Sequence, residues 1–170
     1  MDSESNAPDL AVIALGGNLP GAFASVQAAL EAAVACFTSY GLEPVKVSRW
    51  WRSAAWPNPS DPPFLNGVTL ARTALGPHKA LDALIALEAD FARRRSTPNA
   101  PRTLDLDLIA LGSAVMDTPS LILPHPRAAD RLFVMGPLAE IAPDWRHPVL
   151  GRTAENLATS ARIGQDAAPL

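Results

Sequence analysis

Apolar residues recur at characteristic spacings along the chain, and the order of these spacings constrains the fold more than any other feature. Leu10–Leu15 is a short continuous apolar run that ends at two glycines, which predicts a buried strand followed by a turn. From Gly21 to about Tyr40 apolar residues lie three and four positions apart, which predicts an amphipathic helix that ends at Gly41. Residues 45–49 then predict a second extended stretch.

The sequence then predicts a third strand, a second helix and a fourth strand. Phe64–Ala71 alternates and contains β-branched residues, which predicts a third strand. Pro77 stands where a helix can begin. The apolar face expected for that helix consists of Leu81, Leu84, Ile85, Leu87 and Phe91. Residues 104–111 predict a fourth strand, so the order of strand, helix, strand, strand, helix, strand predicts an α+β fold, a ferredoxin-like split βαβ sandwich with helices on one face.

The chain is expected to form one domain. Its 170 residues, 48% of them apolar, fit a single buried core. Residues 1–9 are polar and lack periodicity, which predicts a flexible N-terminal tail before a single domain over 10–150. Short helical patterns near 128–132 and 137–141 predict a C-terminal extension packed on the core, and 151–170 are expected to be a C-terminal tail without recognisable chemistry.

The distribution of charge favours a small phosphorylated ligand over a nucleic acid. The net charge is −3, which argues against a protein that neutralises many phosphates of a polymer. Arginine nevertheless supplies twelve of the fourteen basic residues, and four arginines lie within ten residues that contain no acid. These are Arg93, Arg94, Arg95 and Arg102. Planar guanidinium groups that are always charged can bind phosphate oxygens in pairs, so this segment is expected to bind phosphate.

The cellular environment is expected to be the cytoplasm. Cys36 is the single cysteine and cannot form an internal disulfide. No basic stretch followed by an apolar run opens the sequence, and no apolar stretch approaches the roughly 20 residues of a membrane-spanning helix. The sequence therefore predicts no membrane partner.

Two acids on the fourth strand are the strongest local signal for chemistry. Asp105 and Asp107 are two positions apart in a strand, so they project to one face while the leucines between and beside them project to the other. Such a pair suits Mg²⁺, which prefers oxygen ligands and is often completed by substrate phosphates. The alternative is a half-buried strand with one face in water. The nearby arginines favour a phosphoryl-transfer site.

Two further residues give weaker signals for a functional role than the two acids do. Glu88 lies at or beside the apolar stripe of its helix, where it is either a partnered carboxylate or a flanking residue whose tip reaches water. His125 stands between two prolines and is either structural or one wall of a site that includes Arg131 and Phe133.

The third strand and the loop before it suggest a binding site for a ring. Phe64 and Asn66 share one face, so a flat heterocycle could stack on the ring and bond to the amide, although these two residues taken alone favour the alternative of a core Phe beside a turn Asn. The preceding proline-rich loop over 53–63 is of a length that is usually functional or disordered.

Taken in order, these motifs resemble the 6-hydroxymethyl-7,8-dihydropterin pyrophosphokinase family over about 12–148. The resemblance is carried by ALGGNLP at 14–20, SRWWRSAAW at 48–56, FLN at 64–66, LE at 87–88, RRR at 93–95, APRTLDLDLIALG at 100–112 and LPHPRAADRLFVMGPLAEIAP at 123–143. It implies an ATP-dependent diphosphokinase of folate biosynthesis that transfers the terminal diphosphate of ATP to the hydroxymethyl group of the pterin and releases AMP. It also implies a ferredoxin-like fold.

The resemblance assigns roles to particular residues. It implies that Asp105 and Asp107 bind two Mg²⁺ ions and act in catalysis with Arg93 and Arg102. The ATP-binding residues implied are Glu88, Arg93, Arg95, Arg102, His125 and Arg131. The pterin-binding residues implied are Ser53, Ala54, Trp56, Phe64, Asn66 and Phe133, with the two phenylalanines on either side of the pterin.

The sequence departs from the family pattern in the arginine segment and on the third strand. Asn99 and Ala100 stand where many members have Trp-Gly, and Phe64 stands where Tyr is frequent. A paralogue that acts on another alcohol therefore stays a possible alternative. A ferredoxin-like RNA-binding module is a further one, although the net acidic charge argues against it. The expected assembly is a monomer.

Overall fold

The computed structural model describes residues 8–91 and 104–170. Within these ranges the strands are β1 (Asp9–Gly17), β2 (Glu43–Val47), β3 (Trp51–Ser53), β4 (Phe64–Thr73), β5 (Asp105–Leu111), β6 (Met116–Asp117), β7 (Ile122–Leu123) and β8 (Ala168–Pro169). The helices are α1 (Val26–Cys36), α2 (Pro77–Asp90), α3 (Leu132–Ile141) and α4 (Ala154–Ser160), with 3₁₀ turns at Phe37–Tyr40 and Ala128–Asp130.

The main sheet has six antiparallel strands in the order β5-β1-β4-β3-β8, and β2 also pairs with β4. β1 pairs with β4 from Asp9↔Thr73 to Gly17↔Leu65. The extended stretch after α1 divides into β2 and β3, which pair with different parts of β4. The predicted α+β, ferredoxin-like connectivity is confirmed, with β1 and β4 at the centre of the sheet.

Strand alternation divides the apolar side chains between two faces of the sheet. Along β1, Ala11, Ile13 and Leu15 join a core that includes residues of α1 and α2. Val12 and Ala14 point the other way, into a core completed by α3 and α4. The C-terminal extension therefore covers the face that the first two helices leave open, as expected for an extension packed on the core.

Two details of the predicted helices are wrong. The first helix begins at Val26 rather than Gly21, because Ser25 is its N-cap and the Ser25 hydroxyl accepts a hydrogen bond from the Ala28 N–H at 3.0 Å. Phe23 consequently lies outside the helix and stacks on Phe91, with ring centroids 5.4 Å apart. In α2, Ile85 was expected on the apolar face but is 54% exposed, because the buried side of the helix follows Ala80, Leu84, Leu87 and Glu88.

The residues expected to form a C-terminal tail contain regular structure. Within 151–170, α4 buries Ala154 and Leu157 in the second core, and β8 pairs with β3. Arg162 forms an ion pair with Asp130 at 2.9 Å. Short apolar segments of this kind carry little periodicity, so they could not be predicted from spacing. The N-terminal tail falls largely on residues 1–7, which lie outside the described residues.

His147 supports a testable pH dependence of stability. Its side chain is buried, and its Nδ1 accepts hydrogen bonds from the N–H groups of Val149 at 3.2 Å and Leu150 at 3.1 Å. Burial lowers the pKa of His147 below its ordinary value. The unfolded chain therefore binds a proton more readily than the folded chain, so stability from this group is complete above the ordinary histidine pKa and decreases as the pH falls through it.

We expect the unfolding temperature of the wild-type protein to fall between pH 7.5 and pH 5.5, measured by circular dichroism. His147→Asn retains an acceptor near the Nδ1 position but does not titrate, so its decrease over the same interval should be smaller. An equal decrease in both proteins would contradict this role of His147.

Candidate active site

The candidate site lies where the second face of the sheet runs beyond the core formed by α3 and α4. Asp105 and Asp107 have the same alternation along β5 as buried Ile109, and Phe64 and Asn66 have the same alternation along β4 as buried Val68. The acids, the ring and the amide therefore share the face of the sheet that carries the second core. The prediction that the two acids project together is confirmed, and the leucines beside them are buried on the opposite side.

Strand register places these groups in one row. Gly16 of β1 pairs with Asp105 on one side and with Asn66 on the other. Because Gly16 has no side chain, the middle strand leaves an open floor between the acid and the amide; a Cβ at this position would lie 3.2 Å from Asn66 Oδ1. The glycine pair after the first strand favoured a turn, with close approach to a phosphate as the weaker alternative, and the role of Gly16 as the floor between the acid and the amide was not predicted.

A cleft of about 200 Å³ opens above this row and is called the aromatic pocket here. Its lining consists of Ala14, Leu15, Gly16, Ser53, Ala54, Trp56, Phe64, Asn66, Asp105, Asp107, Arg131, Phe133 and Val134. All six predicted pterin-binding residues are in this set, as are both predicted metal ligands. Trp56 is 74% exposed at its rim.

Asn66 is held in a fixed orientation. The side chain is 7% exposed, and its Nδ2 donates to the Ser53 hydroxyl at 2.9 Å. Phe64 pairs with Ser53 and Asn66 pairs with Trp51, so β3 supports both groups from the adjacent strand. The proline-rich loop after β3 is anchored by Asn18, whose Nδ2 donates to the Pro62 carbonyl at 3.0 Å. An amide in a defined rotamer can recognise the polar edge of a ring.

Arg131 and Phe133 reach the pocket from the start of α3. The guanidinium carbon of Arg131 lies 5.7 Å from the centre of the Phe133 ring, a cation–π distance. Burial lowers the pKa of Arg131, whereas the negative charge of Asp107 acts in the opposite direction. An arginine side chain stays cationic at neutral pH. Among its described lining residues the pocket thus combines one permanent positive charge with two acids.

A second cleft, called the proline-lined pocket here, lies beside the first. Its lining consists of Leu81, Leu106, Asp107, Leu108, Thr118, Pro119, Ser120, Leu121, Ile122, His125 and Pro126. Asp107 lines both pockets. Apart from His125 and Asp107, these residues were not predicted, since apolar alternation on β5 and a short turn carry no functional signal.

His125 is positioned by backbone contacts at the wall of the proline-lined pocket. Its N–H donates to the Ile109 carbonyl at 2.8 Å, and its Nδ1 accepts from the Arg127 N–H at 3.2 Å. Burial, reinforced by the positive charges of Arg131 and Arg127, lowers the pKa of His125. The imidazole is therefore neutral at pH 7, with its other ring nitrogen available as a donor to a ligand.

The acid pair fits a divalent cation that keeps part of its coordination for a ligand. Among residues 8–91 and 104–170 no group of three or more His, Cys, Asp or Glu side chains is arranged to hold a metal. Two carboxylates on one face of a strand, open to a cleft, match the donor set that Mg²⁺ uses when phosphates and water complete its shell. The donor set does not suit Zn²⁺ in a closed structural site.

Glu88 differs from the other candidate site residues because it reaches the backbone of β5 from α2. It is 8% exposed, so the interpretation of a flanking side chain that reaches water is wrong. Its Oε1 accepts a hydrogen bond from the N–H of Leu106 at 2.7 Å, between the two acids of β5. This hydrogen bond holds β5, the strand that bears Asp105 and Asp107, against α2. A direct role for Glu88 in binding ATP stays a prediction.

The structure brings most of the predicted residues together. Ser53, Ala54, Trp56, Phe64, Asn66, Asp105, Asp107, Arg131 and Phe133 line the aromatic pocket, and His125 lines the adjoining one. The predicted phosphate-binding residues Arg93, Arg95 and Arg102, with Asn99 and Ala100, lie outside the described residues.

Fold and site together define a ferredoxin-like α+β protein whose clefts combine aromatic rings, paired acids and arginine. A family model described as 7,8-dihydro-6-hydroxymethylpterin-pyrophosphokinase (HPPK) matches residues 12–143. The chain belongs to this family.

Curated relatives include proteins named 2-amino-4-hydroxy-6-hydroxymethyldihydropteridine pyrophosphokinase. The chain is 42% identical to the protein of Synechocystis sp. over 144 residues, which cover 84% of this chain and 71% of the relative. It is 39% identical to the protein of Pseudomonas aeruginosa over 145 residues, covering 80% and 82%. The Bacillus subtilis protein is 33% identical over 159 residues, covering 93% and 87%.

Solved structures support the fold assignment. The wild-type HPPK-DHPS protein of Plasmodium falciparum superimposes with a TM-score of 0.66 at 12% identity, over 92% of this chain and 45% of the solved chain. The chain thus corresponds to less than half of that longer protein, and at this identity the match concerns the fold alone.

Proposed function

We propose that the protein transfers the terminal diphosphate of ATP to the hydroxymethyl group of 6-hydroxymethyl-7,8-dihydropterin and releases AMP, a reaction of folate biosynthesis. Membership of the pyrophosphokinase family supports this function. The structural observation that carries it is the position of Asp107, which lines both clefts. An acid shared by two adjoining pockets marks the point at which a group can pass from a ligand in one to a ligand in the other.

The aromatic pocket is proposed to bind the pterin. Phe64 and Phe133 offer aromatic faces for a flat bicyclic ring, and Asn66 offers both a donor and an acceptor to its amide-like edge. The backbone near Ser53 and Ala54, with the exposed ring of Trp56, is proposed to complete recognition.

The proline-lined pocket is proposed to bind ATP. Its apolar walls suit the adenine base, while His125 and Arg131 lie toward the acid pair, where the phosphates would be held. Arg93, Arg95 and Arg102 are proposed to bind the remaining phosphate oxygens, with Arg93 and Arg102 acting in catalysis.

Asp105 and Asp107 are proposed to hold two Mg²⁺ ions. When bound, Mg²⁺ would neutralise charge on the phosphate oxygens and favour their alignment. The residues of the chain supply the remainder: the pockets fix the two substrates, and Arg131 contributes a permanent positive charge beside the acids.

The proposed reaction is balanced without a further reactant. The hydroxymethyl oxygen of the pterin forms a bond to the β-phosphorus of ATP, and the bond between that phosphorus and the oxygen bridging to the α-phosphorus breaks. The hydroxyl proton is released to water. Among the described residues of the aromatic pocket the ionisable side chains are the two acids and Arg131, so positioning and electrostatics are proposed to supply most of the acceleration.

An RNA-binding function finds little support in the structure. A ferredoxin-like sheet that binds single-stranded RNA presents several aromatic rings on an open face. Here one face is covered by α1 and α2, and the other by α3 and α4 except at the pocket. A flat heterocycle fits that remaining opening better than a polymer.

We propose that the protein acts as a monomer in the cytoplasm. Among the described residues, none of the helices has the length and hydropathy needed to cross a membrane. The single cysteine, Cys36, and the net charge of −3 are consistent with a reducing environment and with small-molecule substrates.

Incubation of the protein with ATP, Mg²⁺ and 6-hydroxymethyl-7,8-dihydropterin, followed by chromatography of the nucleotides, tests the proposed function. We expect AMP to form in amounts equal to the pterin diphosphate, and only when the pterin is present. AMP formation with a different alcohol but not with this pterin would show that the acceptor is another compound. ADP as the product would contradict transfer of a diphosphate.

A further inference from the structure

We infer that residues 161–170, called the C-terminal segment here, position two parts of the aromatic pocket lining, Phe133 and Ala54, with Gly164 and Asp166 as the positioning residues. The inference rests on the proposed function of that pocket in binding the pterin. These residues lie beyond the part of the chain that matches the family model, which ends at residue 143.

Gly164 lies directly against Phe133. A Cβ at Gly164 would stand 2.5 Å from Phe133 Cδ1 and 3.0 Å from Phe133 Cε1. Gly164 also has a φ of +70°, which a glycine adopts without strain. The location of the Phe133 ring therefore depends on the absence of a side chain at this position.

The backbone before Gly164 is fixed to the start of α3. The Leu132 N–H donates to the Ile163 carbonyl at 2.9 Å, and the Ile163 N–H donates to the Asp130 carbonyl at 3.0 Å. Arg162 adds an ion pair to Asp130 at 2.9 Å. Because Phe133 follows Leu132 directly, these contacts fix the wall of the pocket to which the ring belongs.

The part of the lining at Ala54 is fixed by the remainder of the C-terminal segment. Asp166 Oδ2 accepts a hydrogen bond from the Ala54 N–H at 2.6 Å. β8 then pairs with β3, and the Leu170 N–H donates to the Trp50 carbonyl at 3.0 Å. Ala54 lines the aromatic pocket, so the segment contacts the lining on this side as well.

One short segment thus links Phe133 to the backbone at Ala54. A pterin that stacks on Phe133 and is recognised near Ala54 needs both parts of the lining in fixed positions, because stacking contacts weaken steeply when surfaces separate by even a fraction of an ångström. We expect changes in this segment to alter pterin binding without altering ATP binding in the proline-lined pocket, whose lining includes none of its residues.

The first test replaces Gly164 with Ala. Gly151→Ala is the matched control, because Gly151 has a similar φ of +66° but no atom within 4 Å of an added Cβ. Both variants share the cost of a positive φ, while Gly164→Ala alone displaces the Phe133 ring. Calorimetry measures the Kd of 6-hydroxymethyl-7,8-dihydropterin in the presence of Mg²⁺ and α,β-methylene-ATP, and the Kd of the ATP analogue alone.

For Gly164→Ala we expect the Kd of the pterin to rise about tenfold, as for overpacking of roughly 1.4 kcal/mol, with the Kd of the analogue unchanged. For Gly151→Ala both values should equal those of the wild-type protein. Pterin binding by Gly164→Ala at wild-type strength, or equal weakening of both ligands, would overturn the inference.

The second test uses Asp166 and keeps the inference testable if Gly164→Ala does not fold. Asp166→Ala removes the acceptor for the Ala54 N–H, so the pterin Kd should rise about fivefold, the value expected for one hydrogen bond. Asp166→Asn retains an oxygen acceptor and should restore most of the affinity. Identical affinities for Asp166→Ala and the wild type would overturn this part. A wild-type protein that fails to bind the pterin would contradict the proposed function itself, and with it the inference.

Discussion

Asp107→Ala should lower kcat for AMP formation by at least about a thousandfold while the protein stays folded, because it removes one of two carboxylates proposed to hold Mg²⁺ at the junction of the pockets. Asp107→Asn keeps the shape and removes the charge, so its loss should be similar. The unfolding temperature of both variants should stay within about 3 °C of the wild type, since Asp107 is only partly buried and lies at the pocket rather than in the core.

The matched control is Glu43→Ala. Glu43 is an exposed acid at the start of β2, where it pairs with Arg72 near the other end of β4 from the site. We expect wild-type kcat for this variant, with AMP formation measured by chromatography of the nucleotides as for the Asp107 variants. Turnover by Asp107→Asn within a few-fold of the wild type would contradict the assignment of Asp107 as a metal ligand.

Asn66→Ala should raise the KM for the pterin by about a hundredfold, because it removes the buried amide proposed to bind the polar edge of the ring and leaves the Ser53 hydroxyl without that partner. The KM for ATP should be unchanged, since Asn66 does not line the proline-lined pocket. kcat should fall less than the KM for the pterin rises, because the acids and Arg131 are untouched.

Initial rates measured over a matrix of pterin and ATP concentrations separate these effects. Asn156→Ala, on the exposed side of α4, is the control for loss of an asparagine and should match the wild type. A rise in the KM for ATP, or a fall in kcat with the KM for the pterin unchanged, would contradict the assignment of Asn66 to pterin recognition.

The parts of the site that the sequence predicted correctly are those governed by strand alternation. Asp105 and Asp107 were expected to project together because side chains alternate in a strand, and the same rule placed Phe64 beside Asn66. The predicted order of segments likewise gave the ferredoxin-like connectivity. Each of these inferences depends on residues close in sequence, for which spacing is a direct guide to geometry.

The features that were missed depend on contacts distant in sequence. Gly16 forms the floor of the aromatic pocket because β1 lies between β4 and β5, which a single strand pattern cannot show. Ile85 fits a helical stripe by spacing, yet α2 buries a side of the helix that includes Glu88 instead. The C-terminal segment has no regular pattern, and its role follows from pairing with residues more than a hundred positions away, such as Ala54.

The hydrogen bond from Leu106 to Glu88 has a consequence for the solubility of the protein. β5 lies at one edge of the main sheet, and edge strands expose backbone donors that can recruit a strand from another molecule. Glu88 occupies one of these donors with a buried carboxylate and places α2 beside the strand. The strand that bears both acids is thereby protected from pairing with a second chain at Leu106, which lowers its tendency to nucleate aggregation.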